Sequence, residues 1–306
     1  MFSVDDLFTL CADQDVIHAL LRDLGFEDTR PRVCPKCGAK LDATVVIHQG
    51  KEHWRCKAVA CRRFVPLQSG NLGYSKLPPH KIVQILYFWA RDTHKLDELL
   101  GLDPKTVADW SARLRLCVAN GLDSENLQVG GPGHVVEVDE TEIGRRQKGI
   151  HGHKTSVKGD IWGCVDRSTG VLILEVYDKV KVGELWERRF GPPRADELTT
   201  LCEQFIQQKS RLYSDGARAY VQIAAKLQCK HAFVDHSSGE YVRGDVHTNT
   251  IDGWWGRLKV WWNARGGVQE GHIWTTLKEF QWRSNLRETD PWLSLLDYIR
   301  AGHFPS

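Results

Sequence analysis

The stretch HVVEVDETEIG, His134–Gly144, decides the fold class of this chain. Apolar and polar residues alternate along it with the period of a β-strand. Two further stretches of strand character follow, DIWGCVDRSTG at 160–170 and VLILEVYDKV at 171–180. A long polar loop joins the first two stretches, and a short Ser-Thr-Gly turn joins the second to the third. This order predicts three antiparallel strands.

A helical pattern over 196–209 comes next, followed by a fourth strand, RLYSDGARAY at 211–220, and a fifth near HAFVDH at 231–236. Three antiparallel strands, a helix and further strands form the element order of a ribonuclease H-like core. The predicted fold class is therefore multidomain α/β. Its catalytic core would be a mixed sheet flanked by helices, preceded by a zinc ribbon and a helix-turn-helix segment.

Acidic residues stand at three distant points of this predicted core. Asp139 lies inside the first strand, on the same face as Glu137, where a charge is costly to bury unless it is paired or bound to a metal. An ordinary amphipathic strand would also place Asp139 in water. Asp215 closes the fourth strand, and Asp252 opens a later helix. Two strands and a helix can bring three carboxylates to one two-metal site, and magnesium suits such ligands.

The helix that follows is contained in VHTNTIDGWWGRLKVWWN, at 246–263, and it divides into two faces. An apolar stripe recurs at helical spacing and predicts packing into the core. Its members are Trp254, Trp255, Leu258, Trp261 and Trp262. Asp252, Gly256 and Lys259 form a second, polar stripe. The alternative is that one tryptophan stacks on a DNA base.

Four of the nine cysteines fall into one short window, with the spacing C-x2-C, eighteen residues, C-x4-C. They are Cys34, Cys37, Cys56 and Cys61. Two such turns supply the four ligands of a structural zinc ion, and the stretch between them predicts a hairpin with a Gln-Gly turn. The alternatives are four reduced buried cysteines, or replacement of one ligand by His48 or His53. The pattern favours a reducing compartment.

From residue 77 to 120 the pattern becomes helical. A helix follows Pro78 and Pro79; then Leu96, Leu99 and Leu100 make a short helix that Gly101 ends, and Asp103 caps the next helix. In this second helix Val107, Trp110 and Leu114 are expected to face inward, which together predicts a helix-turn-helix. Its outer face would carry Lys105, Thr106, Asp109 and Arg113, and we expect Lys105, Thr106 and Arg113 to contact DNA. A three-helix packing element has the same pattern.

The loop between the first two strands is basic. It contains Arg145, Arg146, Lys148 and Lys154 and no acid. Such a cluster beside a carboxylate site predicts contact with a polyanion, although exposed hairpins are often basic.

The whole chain of 306 residues is long enough for two or three domains, and its net charge of +2 neither supports nor excludes a nucleic-acid partner. We expect N-terminal helices at 1–29, a zinc ribbon at 30–68, the helix-turn-helix at 76–122, the catalytic domain at 133–268, and C-terminal helices packing on that core at 269–306. No apolar run or basic leader indicates membrane insertion or secretion. The expected location is the nucleus in a eukaryote, and otherwise the cytoplasm or nucleoid.

The motifs VDETEIG, LYSDGARAY and HTNTIDGWWGRLK, preceded by the CPKC ribbon, resemble the transposases of the Merlin superfamily and related bacterial insertion-sequence transposases. The resemblance runs from about Cys34 to about Val268. It implies a DDE-type domain that cuts and joins double-stranded DNA at terminal inverted repeats and inserts it into target DNA. It also implies a homodimer or higher oligomer, two Mg²⁺ or Mn²⁺ ions, and one Zn²⁺ ion.

Carried over by position, the resemblance makes Asp139, Asp215 and Asp252 the first, second and third acids. Lys259 becomes the basic residue that follows them and contacts DNA, while His247 and Asn249 shape the start of the helix. The family has glutamate or asparagine at the third position, and aspartate has a shorter reach. Two alternatives stay open: a domesticated DNA-binding protein without catalysis, and a ribonuclease H-like nuclease without strand transfer. A zinc-dependent hydrolase lacks support, because no H-E-x-x-H is present.

Overall fold

The computed structural model describes residues 2–27, 33–41, 44–66, 77–143, 159–177, 179–182, 185–188, 195–216, 218–235, 238–265, 268 and 270–305. The chain divides into two compact units. One unit comprises Met1–Gly121 with Glu288–Ser306, and the other comprises Leu122–Arg287. Among the described residues, no helix has the length and apolar character needed to cross a membrane.

The first unit begins with two short helices, α1 (Val4–Ala12) and α2 (Gln14–Asp23). Ser3 and Asp13 accept hydrogen bonds from the first turns of these helices, as N-terminal capping residues do. Three antiparallel strands follow: β1 (Val45–His48), β2 (Lys51–Arg55) and β3 (Phe64–Pro66). Gln49 and Gly50 join β1 to β2 with φ angles of 51° and 73°, so the predicted hairpin and its turn are confirmed.

Three more helices complete this part of the unit: α3 (Pro79–Ala90), α4 (Leu96–Leu100) and α5 (Pro104–Ser124). Gly101 ends α4 with a φ of 61°, and Asp103 Oδ1 accepts a hydrogen bond from the N–H of Lys105 at 2.8 Å. These helix boundaries agree with the prediction. Within α4, Leu96 and Leu100 are buried, whereas the side chain of Leu99 is 53% exposed.

The second unit contains short strand β4 (Val129–Gly130), then β5 (Val135–Ile143), β6 (Gly159–Asp166) and β7 (Leu172–Val176), and a hairpin of β8 (Lys179–Val182) and β9 (Leu185–Arg188). It continues with α6 (Ala195–Phe205), β10 (Ile206–Gln207), β11 (Arg211–Ser214), α7 (Arg218–Lys226) and β12 (Lys230–Phe233). The last elements are α8 (Asn249–Ala264), a 3-10 turn at Glu270–His272, and α9 (Ile273–Asn285).

Five of these strands form one mixed sheet in the order β12-β11-β5-β6-β7. The neighbours β5, β6 and β7 are antiparallel, whereas β11 is parallel to both β5 and β12. Buried residues such as Val136, Val138, Leu198, Tyr220 and Ile223 fill the core between this sheet and helices α6 and α7. The predicted mixed sheet flanked by helices is confirmed, with strands in the predicted order.

The fourth strand is shorter than the stretch 211–220, and its end lies one residue before Asp215, the residue predicted to close it. It ends at Ser214, and Gly216 then takes a φ of 91°, which favours glycine and turns the chain into α7. The second half of RLYSDGARAY is therefore helical. The preceding helix, α6, is likewise shorter than its predicted range, because the chain pairs with β4 from Ile206 onwards.

The free side of edge strand β7 is covered by side chains of α9. Asn285 Oδ1 accepts from the N–H of Leu172 at 2.9 Å, and its Nδ2 donates to the carbonyl of the same residue at 2.8 Å. Gln281 accepts from the N–H of Leu174 at 3.0 Å, and Lys278 donates to the carbonyl of Leu174 at 3.1 Å. These bonds satisfy backbone groups that would otherwise be open to a further strand.

The last helix, α10 (Pro291–Arg300), departs from the prediction that both C-terminal helices pack on the catalytic core. It belongs to the first unit, where the ring of Trp292 stacks on Phe2 and meets Tyr87 edge-on. Asp290, which caps this helix, also accepts from the N–H of Phe2 at 2.8 Å. These contacts explain why the apolar stripe of α10 is buried among N-terminal helices.

Candidate active site

Asp139 lies near the middle of the central strand β5, and its side chain faces α8. The indole Nε1 of Trp255 donates a hydrogen bond to Asp139 Oδ2 at 2.8 Å. The residue paired with Asp139 on the next strand is Gly163, and a Cβ there would lie 2.5 Å from Trp255. The absence of a side chain at this glycine therefore lets the Trp255 ring lie directly on the sheet.

The other two predicted acids lie at ends of elements close to this strand. Tyr213 of β11 pairs in parallel with Glu137 of β5, so Asp215, two residues further along, is level with Asp139. Asp252 is in the first turn of α8, where it is exposed, and Thr248 Oγ1 donates to its Oδ2 at 3.3 Å. Asp215 is half-buried.

The three carboxylates are close enough for their charges to interact. Burial is the main cause that raises the pKa of Asp139 to about 6, and the negative charges of Asp215 and Asp252 add to it. The hydrogen bond from Trp255 acts in the opposite direction. A divalent cation would reverse the effect, because it favours ionised carboxylates. Three carboxylates of this kind fit the oxygen ligands that magnesium prefers.

The aspartates differ from a tight one-ion site. Within the described residues, the three do not form a cluster close enough to hold a single ion, whereas the four predicted cysteines do. In two-ion sites the ions themselves are about 3.5–4 Å apart, so their ligands are spread over a wider space.

Glu137, two residues before Asp139, is fully buried on the same face of β5. Its Oε2 accepts from the backbone N–H groups of Thr250 and Ile251, both at 2.9 Å. Its Oε1 accepts from Thr250 Oγ1 at 2.7 Å and from Arg167 Nε. The carboxylate thus binds N–H groups of the first turn of α8, which have no partner within the helix.

Arg167 extends this network along the segment before α8. It donates to the carbonyl of Asp245 at 2.9 Å and to the carbonyl of His247 at 2.8 Å. It also lies 2.8 Å from His247 Nδ1, and because arginine can only donate, this nitrogen accepts. The guanidinium is 4.9 Å from the ring centre of Tyr213, whose hydroxyl donates to Asp245 at 2.9 Å. His247 therefore acts at the start of α8, where Asn249, the other predicted residue, is exposed.

Glu140 follows Asp139 but faces the opposite side of the sheet, where the Tyr220 hydroxyl donates to it. Burial raises the pKa of Glu140 to about 7, and the charges of Asp139 and Asp215 add to the increase. The charges of Asp139 and Asp215 therefore also affect a carboxyl group on the opposite face of the sheet.

Helix α8 has the two faces predicted from its sequence. Trp255, Leu258 and Trp262 are buried, together with Ile251. Trp254 and Trp261 are half-buried at the border, where both rings meet Phe280. The three members of the polar stripe, Asp252, Gly256 and Lys259, are exposed.

The four predicted zinc ligands converge in the first unit. Their sulfur atoms all lie within 4.8 Å of one another, with 3.6 Å between Cys34 and Cys61 and 3.5 Å between Cys37 and Cys56. Thiolates placed tetrahedrally around zinc at about 2.3 Å would be about 3.8 Å apart. Burial alone would raise the pKa of Cys34, but N–H groups of Lys36 and Cys37 bond its sulfur and bring the pKa to about 6. The set fits one zinc ion.

Neither histidine of the hairpin belongs to this cysteine group. The His48 ring instead stacks on Phe64, with 3.8 Å between ring centres. The predicted DNA-contacting residues of α5 are on its surface: Lys105 and Arg113 are exposed, and Thr106 is half-buried. The basic loop with Arg145, Arg146, Lys148 and Lys154 lies outside the described residues.

The sequence analysis missed two residues of the site, Glu137 and Arg167. Glu137 could have been noticed in the sequence, because it is a charged residue between the apolar positions Val136 and Val138. Its partner Arg167 stands in a turn, where a basic residue is unremarkable in sequence. Trp255 was assigned to packing, and its bond to Asp139 depends on a contact between distant segments.

Comparison with known proteins defines the class. The model of a transposase family, the ISXO2-like transposase domain, matches residues 131–285, more than half of the chain. This chain belongs to that family of insertion-sequence transposases. The matched range begins just before β5 and ends with α9, so it includes all three aspartates. The predicted kinship with insertion-sequence transposases is confirmed, while the Merlin assignment stays a prediction.

A relative from Halobacterium salinarum, described as an uncharacterized protein in transposable element ISH50, is 26% identical over 262 residues. The match covers 82% of this chain and 84% of that protein. Among solved structures, the Mos1 strand transfer complex is 14% identical with a TM-score of 0.21, covering 76% of this chain and 81% of that one. A Mos1 paired-end complex with the left transposon end has the same TM-score and identity, over 76% and 82%. Scores of this size do not establish a shared fold.

Proposed function

We propose that this transposase cleaves and joins double-stranded DNA at the terminal inverted repeats of its element, with Asp139, Asp215 and Asp252 holding two Mg²⁺ or Mn²⁺ ions. The observation that supports it best is the environment of Asp139. Burial, with the charges of two other carboxylates, raises the pKa of this carboxylate in a central strand to about 6, so that it ionises less readily than an ordinary aspartate. A structural role gives no reason for that arrangement, whereas a divalent-ion site does.

The residues of the chain would have distinct parts in this chemistry. The three aspartates would hold the ions, and bound ions would supply activation of the attacking water or DNA 3′-hydroxyl and charge stabilisation at the leaving oxygen. Trp255 orients Asp139 through its indole N–H, and Thr248 bonds Asp252. Both contacts fix carboxylate oxygens before DNA arrives, which favours in-line phosphoryl transfer.

DNA contact belongs to the same proposal. Lys259 is exposed on the face of α8 that carries Asp252, where it is suited to a phosphate. Lys105, Thr106 and Arg113 on α5, with the basic loop residues Arg145, Arg146, Lys148 and Lys154, would bind the repeats and the target. The four cysteines would hold one Zn²⁺. Joining two ends implies a homodimer or higher oligomer.

The test replaces each aspartate by asparagine, which keeps its size and removes its charge. We expect Asp139→Asn, Asp215→Asn and Asp252→Asn each to lower Mg²⁺-dependent cleavage and joining at least about 1,000-fold, with end binding retained. A gel assay on labelled DNA that carries the terminal repeats measures all three activities. Glu203→Gln, which removes only a surface ion pair with Lys226, serves as the control and should behave like wild type.

The outcomes separate the proposal from its alternatives. Cleavage that survives in any of the three variants contradicts the assignment of that aspartate. Wild-type binding to the repeats without cleavage in Mg²⁺ or Mn²⁺ would favour a domesticated binding protein, which the aspartate at position 252 makes worth testing. Cut DNA without joined products would favour a nuclease.

A further inference from the structure

We infer that Glu137 is a positioning residue that holds the first turn of α8 on strand β5, so that Asp252 and Asp139 share one metal site. This inference rests on the proposed function. Glu137 and Asp139 point to the same side of one strand, and Thr250 and Asp252 are in one helical turn. The contact between Glu137 and Thr250 therefore sets the distance between Asp139 and Asp252.

The contact is specific rather than general packing. One oxygen of Glu137 accepts two backbone N–H groups, from Thr250 and Ile251, and the other accepts the Thr250 hydroxyl and Arg167 Nε. The first N–H groups of a helix have no partner inside the helix, and they carry positive charge that favours a carboxylate. Glu137 thus fixes both the direction and the depth at which α8 meets the sheet.

Charge explains why a glutamate is suitable here. The carboxylate is fully buried, and a buried charge is costly unless it is paired and hydrogen-bonded. Arg167 supplies the opposite charge, and it also holds the segment before α8 through the carbonyls of Asp245 and His247. One ion pair therefore ties together strand β5, the turn after β6 and the segment that leads into α8.

The comparison of Glu137 with Asp139 excludes a direct role for Glu137 in metal binding. Each oxygen of the Glu137 carboxylate accepts two hydrogen bonds from protein donors. In Asp139, by contrast, Oδ2 accepts one hydrogen bond from the indole of Trp255. Glu137 acts through the placement of Asp252. Its loss should consequently weaken ion binding without removing any ligand.

The experiment uses the full chain and two measurements that do not depend on catalysis. Mn²⁺ binding is measured by calorimetry, and backbone opening at 249–252 is measured by hydrogen exchange, for wild type, Glu137→Gln and the control Glu203→Gln. We expect Glu137→Gln to weaken Mn²⁺ binding about 10- to 100-fold, as losses of residues that orient metal ligands do. Exchange at 249–252 should become faster, while exchange in β7 stays unchanged.

A coupling measurement distinguishes positioning from a loss of stability. In an Asp252→Asn background the further change Glu137→Gln should have little added effect on Mn²⁺ affinity, because the ligand that it positions is already gone. Equal effects in both backgrounds would overturn the inference, and so would unchanged exchange at 249–252. If wild type binds Mn²⁺ and Glu137→Gln binds it equally well, only this inference fails. If wild type binds no Mn²⁺, the proposed catalytic centre fails with it.

Discussion

Two neighbouring carboxyl groups of β5 have different surroundings because successive residues of a strand point to opposite faces. Asp139 faces α8 and the other acids of the candidate site. Glu140 faces α6 and α7, where Tyr220 is its hydrogen-bond donor. Burial raises the pKa of both groups, to about 6 for Asp139 and about 7 for Glu140. Each therefore has a cost in stability that appears when it ionises.

The cost at Glu140 predicts a pH dependence of stability. Below about pH 4.5, the ordinary pKa of this group, the carboxyl is protonated in both the folded and the unfolded chain. Between that pH and about 7 the unfolded chain has lost the proton that the folded chain retains, so the free energy of unfolding falls as the pH rises. Above about pH 7 the full cost is present.

Glu140→Gln should remove this cost and keep an oxygen that accepts from Tyr220. We expect the variant to be more stable than wild type by about 2–3 kcal/mol near pH 8, and the difference to shrink toward zero near pH 4.5. Urea denaturation of the metal-free chain at a series of pH values measures it. A difference that does not change with pH would show that Glu140 does not titrate as its burial implies.

At the scale of elements, Trp255 is one of the contacts by which α8 lies on the sheet. The Trp255 ring contacts Gly163, and a Cβ at Gly163 would be 2.5 Å from that ring and 2.9 Å from Leu174. Gly163→Ala should therefore cost about 1–3 kcal/mol, as overpacking of a core does, and should lower cleavage further by moving the helix from Asp139. Denaturation and the cleavage assay measure the two effects.

Gly253→Ala is the matched control for stability. Gly253 is exposed on α8, and nothing within 4 Å would meet an added Cβ. Alanine in an exposed helix position should stabilise the chain by about 0.5–1 kcal/mol. If Gly163→Ala also stabilised the chain, the contact between Trp255 and the sheet would not be as close as described.

The sequence predicted elements better than contacts between them. Alternation along β5 and the two stripes of α8 follow from local periodicity, so the order of the strands and the faces of the helix could be predicted from sequence. The bond between Glu137 and the N–H groups of Thr250 and Ile251 joins segments 113 and 114 residues apart. No local pattern specifies that pairing. The end of β11 at Ser214 agrees within one residue with the prediction that Asp215 closes the strand, whereas the helix that follows at Arg218–Lys226 was not predicted.

At the scale of the whole molecule, the β1–β3 module of the first unit and the sheet of the second unit differ in the origin of their stability. The second unit has a five-stranded sheet with helices packed on it, whereas the three short strands of β1–β3 enclose only a small buried cluster around Cys34, Leu41 and Trp54. A module of that size gains most of its folding free energy from a bound metal. The sequence of the β1–β3 module does not predict which neighbouring elements it packs on. The sequence of α10 likewise did not predict that this helix belongs to the first unit.

Removing the metal should consequently act locally. We expect Cys37→Ser to reduce the zinc content from about one ion per chain to near zero, and to abolish protection from hydrogen exchange in β1–β3 while β5–β7 stay protected. Elemental analysis and hydrogen exchange measure these effects. Cys229→Ser, outside the four-cysteine group, should change neither. Full zinc content in Cys37→Ser would contradict the assigned ligands.

The closeness of α8 to the sheet also bears on the length of the third acid. In the proposed site, ions and carboxylates together would span the gap between strand and helix, so a helix that lies nearer would need a shorter side chain. With glycine at 163 under the ring of Trp255, aspartate at 252 has less distance to bridge than it would beneath a bulkier strand residue. In the proposed site, Gly163 and Asp252 would thus form a matched pair of lengths, and glutamate at 252 would suit a chain whose strand holds the helix further away.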